Sequence, residues 1–183
     1  GSLGLNSSVP ESRFLLVDLP GSAQTAIRVI GKGPGVGDDA FSGARLSGIV
    51  LGGSFTSRLN SLLREEKGYT YGARASFSAT GPVGVFVAST SVQTDVTTPA
   101  LNDLVGELAD FGQAFTSAEA RKARAQELAD ALDTGESRSS LADTHAESAS
   151  EGRGPGYFAA QLERTLATGS EDMSQAVADW FEP

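Results

Sequence analysis

A run of alternating residues between positions 71 and 79 constrains the fold of this chain more than any other feature. Tyrosine, alanine and phenylalanine occupy the odd positions, and glycine, arginine and serine occupy the even ones. Because the side chains of a strand point alternately to opposite faces, the pattern predicts a strand with one apolar face, on which Tyr71 should lie. A TGPVG turn and the apolar run VGVFVAST, residues 83–90, complete a predicted antiparallel hairpin.

The residues before this hairpin predict strand, loop and helix in that order. The apolar run FLLVDL, residues 14–19, stops at Pro20, and the β-branched run TAIRVI, residues 25–30, is strand-like. The glycine-rich stretch GKGPGVGDD, residues 31–39, predicts a loop, after which Asp38 or Asp39 is expected to cap a helix that reaches Val50. A second helix is predicted from Phe55 to Glu66.

The second half of the chain is predicted to be helical. Apolar residues recur at helical spacing from Leu101 to Phe111, and TSAE, residues 116–119, has the pattern of a capping box for a helix that ends near Leu132. Shorter helices are predicted around 141–149, 158–166 and from Ser170 onward. Strands followed by a block of helices are typical of an α+β fold, here a mainly antiparallel sheet with helices packed on one face.

Composition excludes several kinds of function. The 183 residues, 39% of them hydrophobic, are expected to form one domain, and no apolar run is long enough to span a bilayer. The net charge of −9 argues against nucleic acid as a partner. Without cysteine and with a single histidine, His145, the chain lacks the residues of a usual zinc hydrolase site, so we expect it to bind no metal. His145 itself is expected to be packed or half-buried beside Leu141.

Two further features have simple structural interpretations. The stretch GKGPGVG lacks the residue pattern of known phosphate-binding loops, so we interpret it as a strand-to-helix connection. The Gly1-Ser2 start is typical of an expression scar, and residues 1–12 are expected to be a scar and a linker before a single domain at 13–183.

The most specific stretch is LGGSFTSRLNSLLREEKGYTYG, residues 51–72, which resembles the C-terminal domain of pitrilysin/insulinase-type zinc metallopeptidases. Within that family it is similar to bacterial and processing-peptidase-like members. The resemblance continues upstream in LLVDLPGSAQTAIRVIGKGP, similar to the first strand pair of that domain, and downstream in FVASTSVQTD and the closing VADWFEP. It therefore covers most of residues 13–183.

The resemblance implies a function that this chain performs only with a partner. In that family a catalytic domain carries zinc on an H-x-x-E-H helix, and a similar domain without metal faces it as the other half of a peptidase clamshell. The metal-free half contributes an arginine and a tyrosine seven positions apart to substrate binding and catalysis. Here these positions are Arg64 and Tyr71, with Tyr69 as the reserve candidate.

By this resemblance the partners are a catalytic H-x-x-E-H domain or subunit, which holds the zinc, and a peptide substrate. The chain alone is expected to be inactive, and the excised half is expected to expose an apolar surface or to form a homo-oligomer. Both the cytoplasm and the periplasm fit a soluble bacterial protein of this kind. Two alternatives are a non-proteolytic structural subunit of the same fold and an α+β module that binds a small ligand. Without the resemblance, Arg64 is expected to pair with Glu65 or with other nearby acids, and Tyr71 to have a structural role on the apolar face of its strand.

Overall fold

The computed structural model describes residues 13–112, 115–150 and 153–181, and its centre is a sheet of three antiparallel strands. These are β1 (Gln24–Gly33), β2 (Thr70–Thr80) and β3 (Val83–Gln93), in the order β1-β3-β2. The hairpin of β2 and β3 confirms the prediction from the alternating residues. Both β1 and β2 are edge strands, and β3 is hydrogen-bonded to each of them.

One face of this sheet forms the core. Ala75, Phe77 and Phe86 are at most 5% exposed, whereas the neighbouring even-numbered residues of β2 are exposed. The ring of Phe86 lies 4.8 Å from the Phe77 ring and 4.8 Å from the Phe181 ring, centroid to centroid. The buried face is therefore sealed by aromatic contacts that reach from the sheet to the end of the chain. We call the opposite face the open face.

Helices cover the buried face. They are α1 (Phe41–Gly48), α2 (Thr97–Asp110), α3 (Ser117–Glu136), α4 (Arg138–Ser150), α5 (Tyr157–Ala167) and α6 (Ser170–Trp180). A π turn, Ile49–Gly53, continues α1, and a short π-helical segment, Asn60–Glu66, leads into β2. We call this segment the junction helix. The predicted α+β fold, with helices on one face of an antiparallel sheet, is confirmed.

Glycine allows α1 and its π turn to lie unusually close to their neighbours. A Cβ on Gly52 would lie 2.1 Å from the backbone nitrogen of Ala75 in β2, and one on Gly43 would lie 2.7 Å from the carbonyl oxygen of Asp172 in α6. No side chain fits at such distances, so this layer is held against the sheet by direct backbone approach.

The stretch 31–39 confirms its interpretation as a strand-to-helix connection, although its first three residues extend β1 and only 34–39 form the loop before α1. Pro34, Gly35 and Val36 are buried against the β2–β3 turn, where the Val36 N–H donates to the carbonyl oxygen of Gly81 at 2.9 Å. The Ala40 N–H donates to the side chain of Asp38, but Ala40 is the N-cap residue of α1 and no side chain caps the helix. The prediction that Asp38 or Asp39 caps it was therefore wrong. The loop is thus part of the fold.

Several predicted elements differ in the structure. Residues 14–19 form no strand, so only the second member of the predicted strand pair is present, as β1. Five apolar side chains of that run are 72–78% exposed.

The second helix does not begin at Phe55, because turns precede the junction helix. Helix α3 continues to Glu136 rather than ending near Leu132. His145 is exposed on α4, which corrects the expectation that it is packed.

The capping box predicted at 116–119 is present. The Thr116 hydroxyl accepts from the Glu119 N–H, and the Glu119 carboxylate accepts from the Thr116 N–H at 2.8 Å. Burial alone would raise the pKa of Glu119, but hydrogen bonds from Arg58 and Thr116 outweigh it and lower the pKa to about 2. None of the described helices is long and apolar enough to cross a membrane.

Candidate functional site

The junction helix ends at Glu66, and the chain turns sharply at Gly68. Gly68 has a φ of 67°, a left-handed conformation that favours glycine, and the Tyr69 N–H reaches back to the carbonyl oxygen of Leu63 at 2.9 Å. This closure turns the chain directly into β2. The predicted end of the second helix at Glu66 is confirmed, and the turn places Arg64 before the junction and Tyr71 just after it.

Tyr71 does not lie where the alternation of β2 predicts. The pairing of β2 with β3 is regular from Ala73 to Thr80, but it shifts between Thr70 and Ala73, where the strand bulges. The side chain of Tyr71 is 94% exposed, the highest value among the large apolar and aromatic residues that the structure describes. A bulge redirects a side chain in this way, so Tyr71 has no packing role in the described part of the chain.

The Thr70 hydroxyl holds the bulge. It accepts from the Gly72 N–H at 3.1 Å and donates to the carbonyl oxygen of Ser91 in β3 at 2.8 Å. The hydroxyl of Thr90, a buried residue of β3, lies 3.0 Å from it and donates to it. These side-chain contacts take the place of the regular ladder beside Tyr71 and fix its backbone.

Asn60 joins the junction helix to β2 immediately beyond the bulge. Its side-chain oxygen accepts from the Ala73 N–H at 2.8 Å, and its side-chain nitrogen donates to the Ala73 carbonyl oxygen at 2.9 Å. The same nitrogen lies 3.0 Å from the carbonyl oxygen of Ser54. Asn60 is buried, so a single amide sets the position of the helix that carries Arg64 relative to the strand that carries Tyr71.

Arg64 lies in the last turn of the junction helix, with its side chain one-third exposed. Its guanidinium carbon lies 4.0 Å from the centre of the Phe55 ring, a cation–π contact with an aromatic residue that is itself 62% exposed. Its Nε also lies 3.5 Å from a carboxylate oxygen of Glu65. The pairing with Glu65 is therefore present, but an exposed pair of this kind contributes little to stability.

The two tyrosines differ in their surroundings. Tyr69 is partly buried and packs against the hydrophobic core, whereas Tyr71 does not. Both line an open depression of about 610 Å³ at the end of the sheet, together with Gln24, Gln93 and Asp95. Tyr71 also lines a second depression of about 690 Å³ on the open face. Arg64 lines neither, so the structure groups the tyrosines and leaves Arg64 on the adjacent helix end.

Sequence reasoning missed Thr70, Thr90 and Asn60. Thr70 stands beside Tyr71 in the quoted stretch, but its partner lies 20 residues away, and nothing in the local pattern indicates that pairing. Among the residues that the structure describes, no three histidine, aspartate or glutamate side chains are grouped so that they could hold a metal ion. The site therefore offers a phenol, a guanidinium and backbone groups, which act as hydrogen-bond donors and acceptors.

Comparison with known proteins now identifies the family. The family model described as the peptidase M16 inactive domain matches residues 5–127, more than half of the chain. The chain belongs to the peptidase M16 family. It is the C-terminal, inactive type of M16 domain, as the resemblance in residues 51–72 predicted. A comparison with curated proteins finds no match.

Solved structures share the fold of this M16 domain at low sequence identity. A protease from Helicobacter pylori is 20% identical with a TM-score of 0.80, covering 91% of this chain and 40% of that chain. The inactive peptidase domain of a Bordetella parapertussis zinc protease is 19% identical with a TM-score of 0.76, covering 90% and 87% respectively. A chain of Complex III2 from Candida albicans is 16% identical with a TM-score of 0.74, covering 87% and 40%. This M16 domain thus spans about two fifths of the Helicobacter chain.

Proposed function

We propose that this M16 domain is the non-catalytic half of a zinc metallopeptidase and supplies Arg64 and Tyr71 to the zinc site of a partner catalytic domain. The observation that carries the proposal is the exposure of Tyr71, which is 94% exposed at a bulge held by Thr70 and Asn60. The backbone of Tyr71 is held in place, but its side chain packs against no other part of the described chain. Such an aromatic side chain is suited to contact another molecule.

The chemistry of peptide hydrolysis gives these groups a role. Zinc held by the partner's H-x-x-E-H helix would supply a Lewis acid for the scissile carbonyl and for the attacking water. The Tyr71 hydroxyl then donates a hydrogen bond to the oxygen on which negative charge develops, and the Arg64 guanidinium orients the peptide beside it. Both side chains lie next to regular elements, which limits the cost of ordering them when the substrate binds.

The contacts of Arg64 support this role. The stack on Phe55 and the contact with Glu65 restrain the guanidinium without surrounding it, and a third of the side chain stays exposed. Arginine presents five N–H donors, so the restrained group retains donors for a substrate carbonyl or carboxylate. Tyr69 remains the reserve candidate, but its packing against the core favours Tyr71.

The comparisons are consistent with a two-half enzyme. The chain covers two fifths of the Helicobacter protease, which leaves room in that protein for a second domain of similar size. Since the described residues contain no group of side chains that could hold a metal ion, the proposal assigns the zinc to the partner. The similarity to a Complex III2 chain supports a second candidate function, that of a non-proteolytic structural subunit of the same fold. That subunit would not need an exposed Tyr71.

The test is the activity of the complete peptidase with Tyr71→Phe in this domain. Loss of one oxyanion donor is expected to lower kcat about 10²–10³-fold, while zinc content stays at the wild-type level. Arg64→Ala is expected to raise KM together with a fall in kcat, because it removes a group that positions the substrate.

Tyr69→Phe is the matched control and is expected to retain most of the activity. A folded, zinc-loaded Tyr71→Phe enzyme with wild-type kcat/KM would overturn the proposal and favour the structural subunit.

A further inference from the structure

The open face of the sheet carries positive charge in a chain that is otherwise strongly acidic. The three strands contain Arg28, Lys32 and Arg74 and no aspartate or glutamate, although the whole chain has a net charge of −9. All three cations are exposed. Among the described residues, none of the three is joined to an acidic side chain by an ion pair, so their charge is available to a ligand.

The strand register places two of these cations in one row. Arg28 pairs with Ser89 across β1 and β3, and Ser89 pairs with Arg74 across β3 and β2. Residues that are paired directly across antiparallel strands share a face, so Arg28 and Arg74 flank Ser89 on the open face. Two strand spacings separate them, about 10 Å, close enough for both guanidinium groups to contact one carboxylate.

The row also belongs to a cavity beside Tyr71. Arg28, Ser89, Arg74 and Tyr71 together line the open depression of about 690 Å³. On the other side of Tyr71, the depression of about 610 Å³ is lined by an acid, Asp95. The charge next to Tyr71 therefore changes from negative to positive along the direction of the strands. A bound peptide with complementary charges would have one preferred direction.

We propose that the row of Arg28, Ser89 and Arg74 is a subsite for an acidic side chain of the peptide substrate. The inference rests on the proposed function and adds a substrate preference to it. The bulge places the four steps of β2 from Thr70 to Arg74 opposite only three steps of β3, from Val92 to Ser89. An extended peptide advances about 3.3 Å per residue, as a regular strand does, so the preferred glutamate or aspartate lies about two to three residues from the peptide group at Tyr71.

Binding to the 183-residue chain tests the subsite without catalysis. The probes are labelled ten-residue extended peptides with one glutamate, and the same peptides with glutamine, measured by fluorescence anisotropy at low salt. The glutamate peptide is expected to bind about three- to tenfold more tightly, a preference that salt weakens because the site is exposed. Arg28→Gln with Arg74→Gln is expected to abolish the preference. Arg121→Gln, an exposed cation on α3, is the control and should preserve it.

The complete peptidase gives the second measurement. The ratio of KM for the glutamate and glutamine peptides is expected to show the same preference and to lose it in the Arg28→Gln, Arg74→Gln variant. An active, Tyr71-dependent enzyme with no preference in either measurement would overturn the subsite while leaving the proposed function intact. A preference that persists in an enzyme indifferent to Tyr71→Phe would keep the subsite and overturn the proposed function. If a single-stranded oligonucleotide bound as tightly as the glutamate peptide, the subsite would also be overturned, because the row would then bind any anion.

Discussion

The two faces of the sheet come from the same three strands and are built from opposite kinds of residue. On the buried face, Phe77 and Phe86 are 5% and 0% exposed and pack ring against ring. On the open face, the corresponding row is Arg28, Ser89 and Arg74, with Tyr71 beside it. The difference shows that alternate residues of one strand serve two purposes. One set stabilises the domain, and the other is free to meet a substrate or partner.

The largest effect is expected from a substitution on the buried face. Phe86→Ala removes a fully buried ring and should lower the free energy of unfolding by about 3–5 kcal/mol. Val87→Ala, one residue along on the open face, should cost less than about 1 kcal/mol, because Val87 is only half-buried. Urea unfolding of both variants measures the contrast, and equal losses would contradict the assignment of the faces.

Asn60→Ala tests the link between the junction helix and β2, beside the open face. It leaves the N–H and carbonyl of Ala73 without their side-chain partner in a buried place, and a loss of about 2–3 kcal/mol is expected. Ser61→Ala, on the exposed neighbour, is the control and should change stability by no more than about 0.5 kcal/mol. If Asn60→Ala were as mild as its control, the junction would not depend on this amide.

Thr70→Val tests whether the Thr70 hydroxyl fixes the position of Tyr71 while contributing little to the stability of the sheet. Valine keeps the branched shape but removes the hydroxyl that contacts Gly72, Ser91 and Thr90, so a loss of about 1 kcal/mol is expected. In the complete peptidase kcat should fall, since Tyr71 loses its fixed backbone. Crystallography of the variant would show whether residues 70–72 shift. An unchanged bulge would contradict the role of Thr70.

The smallest effect concerns the helical layer and depends on pH. The pKa of Glu119 is lowered from 4.5 to about 2, so the stability that its contacts provide is present above pH 4.5 and is lost as the pH falls through 2. Stability measured between pH 5 and pH 2 should therefore decline, and Glu119→Gln should remove that part of the decline. The same slope in the variant would show that another carboxylate is responsible.

The sequence predicts most of the buried face because alternation and helical spacing are local patterns. The hairpin, the capping box at 116–119 and the end of the second helix at Glu66 all follow from neighbouring residues. The bulge cannot be predicted in this way, since it depends on the contact of Thr70 with Thr90 and of Asn60 with Ala73, residues that are distant in sequence. The alternation consequently predicted a buried Tyr71, and this was wrong.

The row of Arg28, Ser89 and Arg74 on the open face could not be predicted from the sequence, for a similar reason. Arg28 and Arg74 lie in strands that are not hydrogen-bonded to each other, so only the order β1-β3-β2 brings them to either side of Ser89. The family was recognisable because residues 51–72 form one continuous stretch. The roles of Arg64, Tyr71 and Tyr69 and the domain boundary before residue 13 stay predictions.

The central claim, that Tyr71 reaches a zinc site in another domain, is tested most directly by cross-linking. A photoreactive benzoyl-phenylalanine at position 71 of the complete peptidase is expected to form a cross-link next to the H-x-x-E-H helix of the catalytic half, or to a bound peptide. The same group at position 121, on the far helical layer, should not. Cross-links from position 71 that fall only within this domain would contradict the claim.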